Sequence, residues 1–208
     1  LSAAALLAIG ASMTSFAAQG WQEENGQWYY YDNNGDYVYG EWKKSGNNWF
    51  YLGDDGAMMT DSLIEDGSKT YYVNPNGAMV TNSWVAVEPG EDADADAPAH
   101  YWYYFGANGQ AVKQTGTSLK KKTLNGKTYA FDSDGKMLYG FVDEDGERLN
   151  SDDDPYENAL YYFGTEDDGA MHTDWLLYTD GSSDEAYDDY DEMWFYFNTS
   201  TGKKVTGG

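Results

Sequence analysis

The feature that most constrains this chain is a recurring run of four residues, aromatic in most copies, followed within a residue or two by a turn. It reads "WYYYDNNGDYVYGEW" from Trp28, "WFYLGDDGAMMTDSL" from Trp49 and "TYYVNPNGAMVTNSW" from Thr70. Further copies are "WYYFGANGQAVKQTGT" from Trp102, "TYAFDSDGKMLYGF" from Thr128, "LYYFGTEDDGAMHTDW" from Leu160 and "WFYFNTSTGKKVTG" from Trp194. The first two spacings are 21 residues, and later ones stretch to 32, 26, 32 and 34. A short repeated unit of this kind cannot bury its apolar face alone, so neighbours must stack. The seven copies run through residues 19–208 and leave no stretch for a separate globular domain.

Each copy predicts a β-hairpin: the aromatic strand, a turn such as Asp32-Asn33-Asn34-Gly35 or Asn74-Pro75-Asn76-Gly77, then a short return strand. Isolated hairpins are marginal, so the expected fold is an all-β solenoid of stacked hairpin repeats, with acidic inserts between the later ones.

Successive strand residues face opposite ways, which sorts each run into two faces. Positions two and four (Tyr29 and Tyr31, Phe50 and Leu52, Tyr71 and Val73, and their equivalents) read as core. Positions one and three read as the outer face. Position three is Tyr in six copies and Ala130 in the other, which points to use of the hydroxyl or the ring edge.

A second Trp precedes several runs: Trp21 lies seven residues before Trp28, and Trp42 seven before Trp49. Two such rings joined through a Gly or Asn turn can form two walls of a box, with a Tyr of the next copy as the third. The expected boxes are Trp21, Trp28 and Tyr51, then Trp42, Trp49 and Tyr72, with Met58 and Met79 as soft, polarisable sides. Ring faces of this kind attract quaternary ammonium groups, which cannot hydrogen-bond and gain from the ring quadrupole. A second rank of candidates comprises Trp84 with Trp102, whose third wall falls on Ala130, and Trp175 with Trp194, after which no complete hairpin follows. The third copy offers Leu63 and Thr70, the fifth Thr117 and Thr128, and the sixth Phe141 and Leu160, so no box is expected there.

The stretch from Gly20 to Val85, with its G-W, hydrophilic turn, W-Y-Y and "NGAM", resembles the cell-wall-binding, or choline-binding, repeat family of Gram-positive bacteria. The resemblance implies a left-handed β-solenoid in which two Trp of one repeat and a Tyr of the next hold the choline of teichoic acid. It therefore implies a non-catalytic module attached to a wall polymer. Related repeats in clostridial toxins and glucan-binding proteins take saccharides, which keeps a carbohydrate-binding adhesin open, alongside a structural spacer with degenerate sites.

The formal charge of −24, with 36 acidic residues against 12 basic ones, argues against nucleic acid and against an anionic lipid membrane. An acidic field repels polymer phosphate but draws cations toward an aromatic cage. Nineteen acidic residues lie between Asp143 and Glu192, against the single Arg148. They read as solvated connections, with calcium as the alternative ligand, although no complete EF-hand loop is present. There is no Cys, and His100 and His172 stand far apart outside any catalytic motif, so an enzyme is not expected. The apolar start "LSAAALLAIGASMTSFAAQG", with Ser15-Phe16-Ala17 as a small-x-small cleavage pattern, reads over residues 1–18 as the remnant of a signal peptide of a secreted, wall-associated protein.

Overall fold

The computed structural model of the chain describes residues 19–91, 93, 97–150, 153–179 and 192–206. The leader reading of residues 1–18 and most of "TDGSSDEAYDDYDE" lie outside them. The array expected over residues 19–208 is described in two compact units: residues up to Ser83 with Phe105–Ala111, and Trp84–Tyr104 with Val112–Gly208.

The first unit carries β1 (Gly20–Glu24) paired with β2 (Gln27–Tyr31), β3 (Glu41–Ser45) with β4 (Asn48–Leu52), and β5 (Ser62–Asp66) with β6 (Lys69–Val73). The second holds most of β7 (Ser83–Val87) and β8 (Tyr101–Phe105), then β9 (Lys120–Leu124) with β10 (Lys127–Phe131). It continues with β11 (Gly140–Val142) paired to β12 (Tyr161–Phe163) and β13 (Asp174–Tyr178) to β14 (Met193–Phe197), with one helical turn, α1 (Pro155–Asn158), between β11 and β12. Among the described residues every sheet is a two-stranded antiparallel hairpin, and no helix is long and apolar enough to cross a membrane.

The aromatic run is the second strand of its hairpin and pairs backwards. The expected pairing with a return strand is thus corrected, for two local reasons. Asn25-Gly26 and Asn125-Gly126 have positive φ at both residues (51° and 84°, 49° and 83°), the geometry that matches strand twist in a two-residue hairpin turn. The later turn is instead an Asx turn: the Asp32 carboxylate accepts from the N–H groups of Asn34 and Asp36 at 2.8 and 3.0 Å. Asn74, Asp132, Asp143 and Asn198 repeat that pattern, which is how several turn carboxylates and amides are spent.

Beyond that turn the chain makes only single bridges to its own strand, such as Leu52 to Met58 and Val73 to Met79. It then reaches the preceding hairpin. Met58 N–H donates to the Trp28 carbonyl at 2.7 Å, Met79 to Trp49 at 2.8 Å and Ala111 to Thr70 at 2.8 Å. In the second unit Met137 donates to Trp102, Met171 to Thr128 and Lys204 to Leu160, each at 2.7 Å. These bonds tie consecutive hairpins together, which supplies what a lone hairpin lacks.

Inside the stack, position four is fully buried as Leu52, Val73, Phe105, Phe131, Phe163 and Phe197. Each such side chain contributes about 1.5–3 kcal/mol of burial. Position two is buried as Phe50, Tyr71, Tyr103 and Tyr161. The core face is the one the alternation predicted.

Candidate functional site

All eight tryptophans of the chain fall at two places in the hairpin. One is on the first strand, opposite position three: Trp21 pairs with Tyr30, Trp42 with Tyr51, and Trp175 with Tyr196. The other is position one of the second strand, on the same face and diagonal to the first.

The first-strand indole stands edge-on to the tyrosine at position three for Trp21, Trp42 and Trp84, and tilted for Trp175. Ring centroids are 5.4 Å apart for Trp21–Tyr30, 5.1 Å for Trp42–Tyr51, 5.3 Å for Trp84–Tyr104 and 5.1 Å for Trp175–Tyr196. Such pairs contribute about 0.5–1.5 kcal/mol beyond their buried area. The diagonal indole forms the second wall: Trp84 and Trp102 lie 6.4 Å apart at 86°, Trp175 and Trp194 6.4 Å apart at 76°.

The ring that meets the first-strand Trp from the next hairpin occupies position two. Trp21 packs on Phe50 at 5.5 Å, Trp42 on Tyr71 at 5.1 Å and Trp84 on Tyr129 at 4.9 Å. Tyr51 belongs to the second hairpin's own face, across from Trp42, and Tyr72 is buried with its hydroxyl donating to Asp61. The sequence reading missed Phe50, Tyr71 and Tyr129, although position two is aromatic in all seven copies. Because Tyr129 precedes Ala130, the Trp84 and Trp102 pair has a third ring after all. Its outer wall is also held: Trp102 Nε1–H donates to Asp167 at 3.4 Å, and His100 Nε2 lies 3.1 Å from the same carboxylate.

Exposure separates the pairs. Trp21, Trp28, Trp42, Trp84 and Trp102 are half-buried, Trp49 is 40% exposed, and Trp175 and Trp194 are 61% and 62% exposed. Met58 and Met79 lie over the turn glycines Gly77 and Gly109 of the next copy, where an added Cβ would sit 2.7 and 2.6 Å from the methionine side chains. Met58 also lines a cleft of about 720 Å³ in the first unit with Tyr29, Tyr51, Met59 and Leu63, rimmed by Asp54, Asp55 and Glu65. Burial and the charges of Asp66 and Asp54 push the Tyr51 hydroxyl pKa up there.

The fifth hairpin holds a correction. Its first-strand residue opposite position three is Lys121, paired with Ala130, rather than Thr117. As for calcium, no three His, Cys, Asp or Glu side chains among the described residues converge as metal ligands do.

With this geometry in view, residues 19–37 match the putative cell wall binding repeat family and residues 38–84 the choline-binding repeat family. Residues 19–84 thus carry choline-binding and cell-wall-binding repeats. Comparison with curated protein sequences gives no match. Among solved structures, the modular autolysin LytC of Streptococcus pneumoniae, in complex with a synthetic peptidoglycan ligand, is 24% identical with a TM-score of 0.56 over 91% of this chain and 33% of that one. Choline binding protein F of the same organism is 25% identical (TM-score 0.54, 90% and 52% covered). The choline-binding domain of its CbpL is 22% identical (TM-score 0.53, 92% and 80% covered). This chain thus spans about a third of the LytC chain and about half of choline binding protein F. These likenesses establish the fold as an array of repeated antiparallel hairpins.

Proposed function

We propose that the protein is a secreted, non-catalytic module that attaches to a cell-wall polymer through quaternary ammonium groups held in its tryptophan boxes, choline of teichoic acid being the ligand that best fits. The observation that carries this reading is the Trp84 site. Two indoles at right angles, 6.4 Å apart, meet Tyr129 at 4.9 Å, with the Asp167 carboxylate on the outer wall. Three ring faces give a trimethylammonium group what it takes from a protein, and the carboxylate adds charge of the right sign. The Trp21 and Trp42 sites share its first-strand indole, which meets Phe50 and Tyr71 of the next hairpin.

A second reading is favoured by the cleft of Tyr29, Tyr51, Met58 and Leu63. Aromatic platforms flanked by Asp54, Asp55 and Glu65 suit the faces and hydroxyl groups of a saccharide.

The test is a choline titration followed by tryptophan fluorescence, with a glucan oligosaccharide in parallel, on the parent and on Trp84→Ala/Trp102→Ala and Trp28→Ala/Trp49→Ala variants. A saturable choline response reduced in each double variant supports the boxes. A response to sugar alone, untouched by those substitutions, moves the function to the cleft.

A further inference from the structure

In four hairpins the first-strand residue on the outer face packs on position two of the following hairpin. Trp21 meets Phe50, Trp42 meets Tyr71, Trp84 meets Tyr129 and Phe141 meets Phe195. In the fifth hairpin that place belongs to Lys121, and its partner is Tyr161. The Lys121 ammonium lies 3.9 Å from the centre of the Tyr161 ring, the shortest of the cation–ring contacts among the described residues.

Three further observations mark this as a built arrangement. In "KKK" at residues 120–122 only the middle lysine is half-buried, while Lys120 and Lys122 are exposed. The Lys121 ammonium donates to the Thr201 carbonyl at 3.2 Å, so the turn of the last copy caps it. Its cross-strand neighbour is Ala130, fully buried and the one position-three residue that is not Tyr. The Trp and Tyr of other hairpins are replaced together by Lys and Ala, which leaves room for the lysine stem to cross the face. Burial lowers the ammonium's pKa, as expected for a charge withdrawn from water.

We infer that Lys121 is a tethered stopper of the fifth inter-hairpin site: from the place that Trp21, Trp42 and Trp84 hold in their hairpins, its ammonium covers the Tyr161 ring and closes that ring face to an external cation. The unit is closed to ligand by its own side chain. This rests on the reading of the tryptophan boxes as cation sites, and it identifies Lys121 as the residue that sets how many units are open.

Reductive methylation of the full chain with labelled formaldehyde keeps the lysine charges and gives each ammonium a methyl resonance. One lysine resonance is expected well upfield of the rest, from the ring current of Tyr161, and it returns to the crowd in Tyr161→Leu. Choline titrated into Lys121→Ala is expected to fill one more site than in the parent, and Lys121→Ala/Tyr161→Leu to lose it. Lys121→Met, which keeps the stem and drops the charge, gains none. A Lys121 resonance indistinguishable from those of Lys120 and Lys122, or a shifted one with no added site in Lys121→Ala, overturns the inference. A parent chain blind to choline overturns the proposed function instead, and the spectrum alone then decides whether the ammonium occupies the ring.

Discussion

The backbone N–H of Met58 donates to the Trp28 carbonyl at 2.7 Å while the Met58 thioether lies over Gly77, so one residue links three successive repeats. Gly77 has φ +80°, and an added Cβ would stand 2.7 Å from Met58 Cε and 3.2 Å from the Met59 carbonyl oxygen. Gly77→Ala is therefore expected to lose about 1–2 kcal/mol from its left-handed backbone and more from the clash. In denaturant unfolding, Met58→Ala combined with Gly77→Ala should cost less than the sum of the two single changes. Strict additivity would mean that the overlay carries no strain.

Truncating a first-strand indole and truncating an exposed one should differ sharply. Trp42 is wedged between Tyr51 and Tyr71, and it packs on the cluster of Ile64, Tyr71 and Val73. Trp42→Ala is expected to cost about 3 kcal/mol, as large aromatic truncations do. Trp194, 62% exposed, should cost less than about 0.5 kcal/mol as Trp194→Ala. Thermal unfolding of both variants checks the contrast.

Period-two alternation made the two faces of each aromatic strand legible, because a strand residue has only two ways to point. Two things were not legible in the same pattern. The strand's partner was misjudged because both flanking turns carry Gly and Asn; only φ at Asn25 and Gly26 against the Asx geometry at Asp32 distinguishes them. The rotation between consecutive hairpins is set by long-range bonds such as Met79 to Trp49, so which ring closes on Trp42 could not be read from spacing. Lys121 lies seven residues before Thr128, the spacing of Trp21 to Trp28, but the fifth copy was read with Thr117 in that place; the register opposite Ala130 assigns it to Lys121.

Stability should fall at alkaline pH through tyrosine ionisation. Burial, then the hydrogen bond to Asp61 and its charge, push the Tyr72 hydroxyl up to about 12. Tyr31, Tyr51 and Tyr162 are raised too, the first mainly by its bond to Glu24 and the other two mainly by burial. The folded state thus holds protons that the unfolded chain releases near pH 10. The stabilisation is complete below that value and is lost as pH rises through about 12 for Tyr72. Tyr72→Phe should flatten the alkaline decline in denaturant midpoints, and tyrosinate absorbance should show a late-titrating group missing from the variant.

Salt separates a cation site from a sugar site. The net charge of −24 surrounds the boxes with an acidic field, and at the Trp84 site the Asp167 carboxylate is a direct source of it. Choline affinity should weaken as ionic strength rises and the Debye length shrinks from about 10 Å at 0.1 M to about 3 Å at 1 M. Asp167→Asn keeps an acceptor for Trp102 Nε1–H and removes the charge. An exposed charge pair is worth about 0.2–1 kcal/mol, so the variant should bind choline only a few-fold more weakly and with a flatter salt dependence. Titration calorimetry at low and high salt on both chains checks this. Binding that ignores salt and the Asp167 substitution alike would mean that the Trp84 site recognises an uncharged ligand, in favour of the saccharide reading.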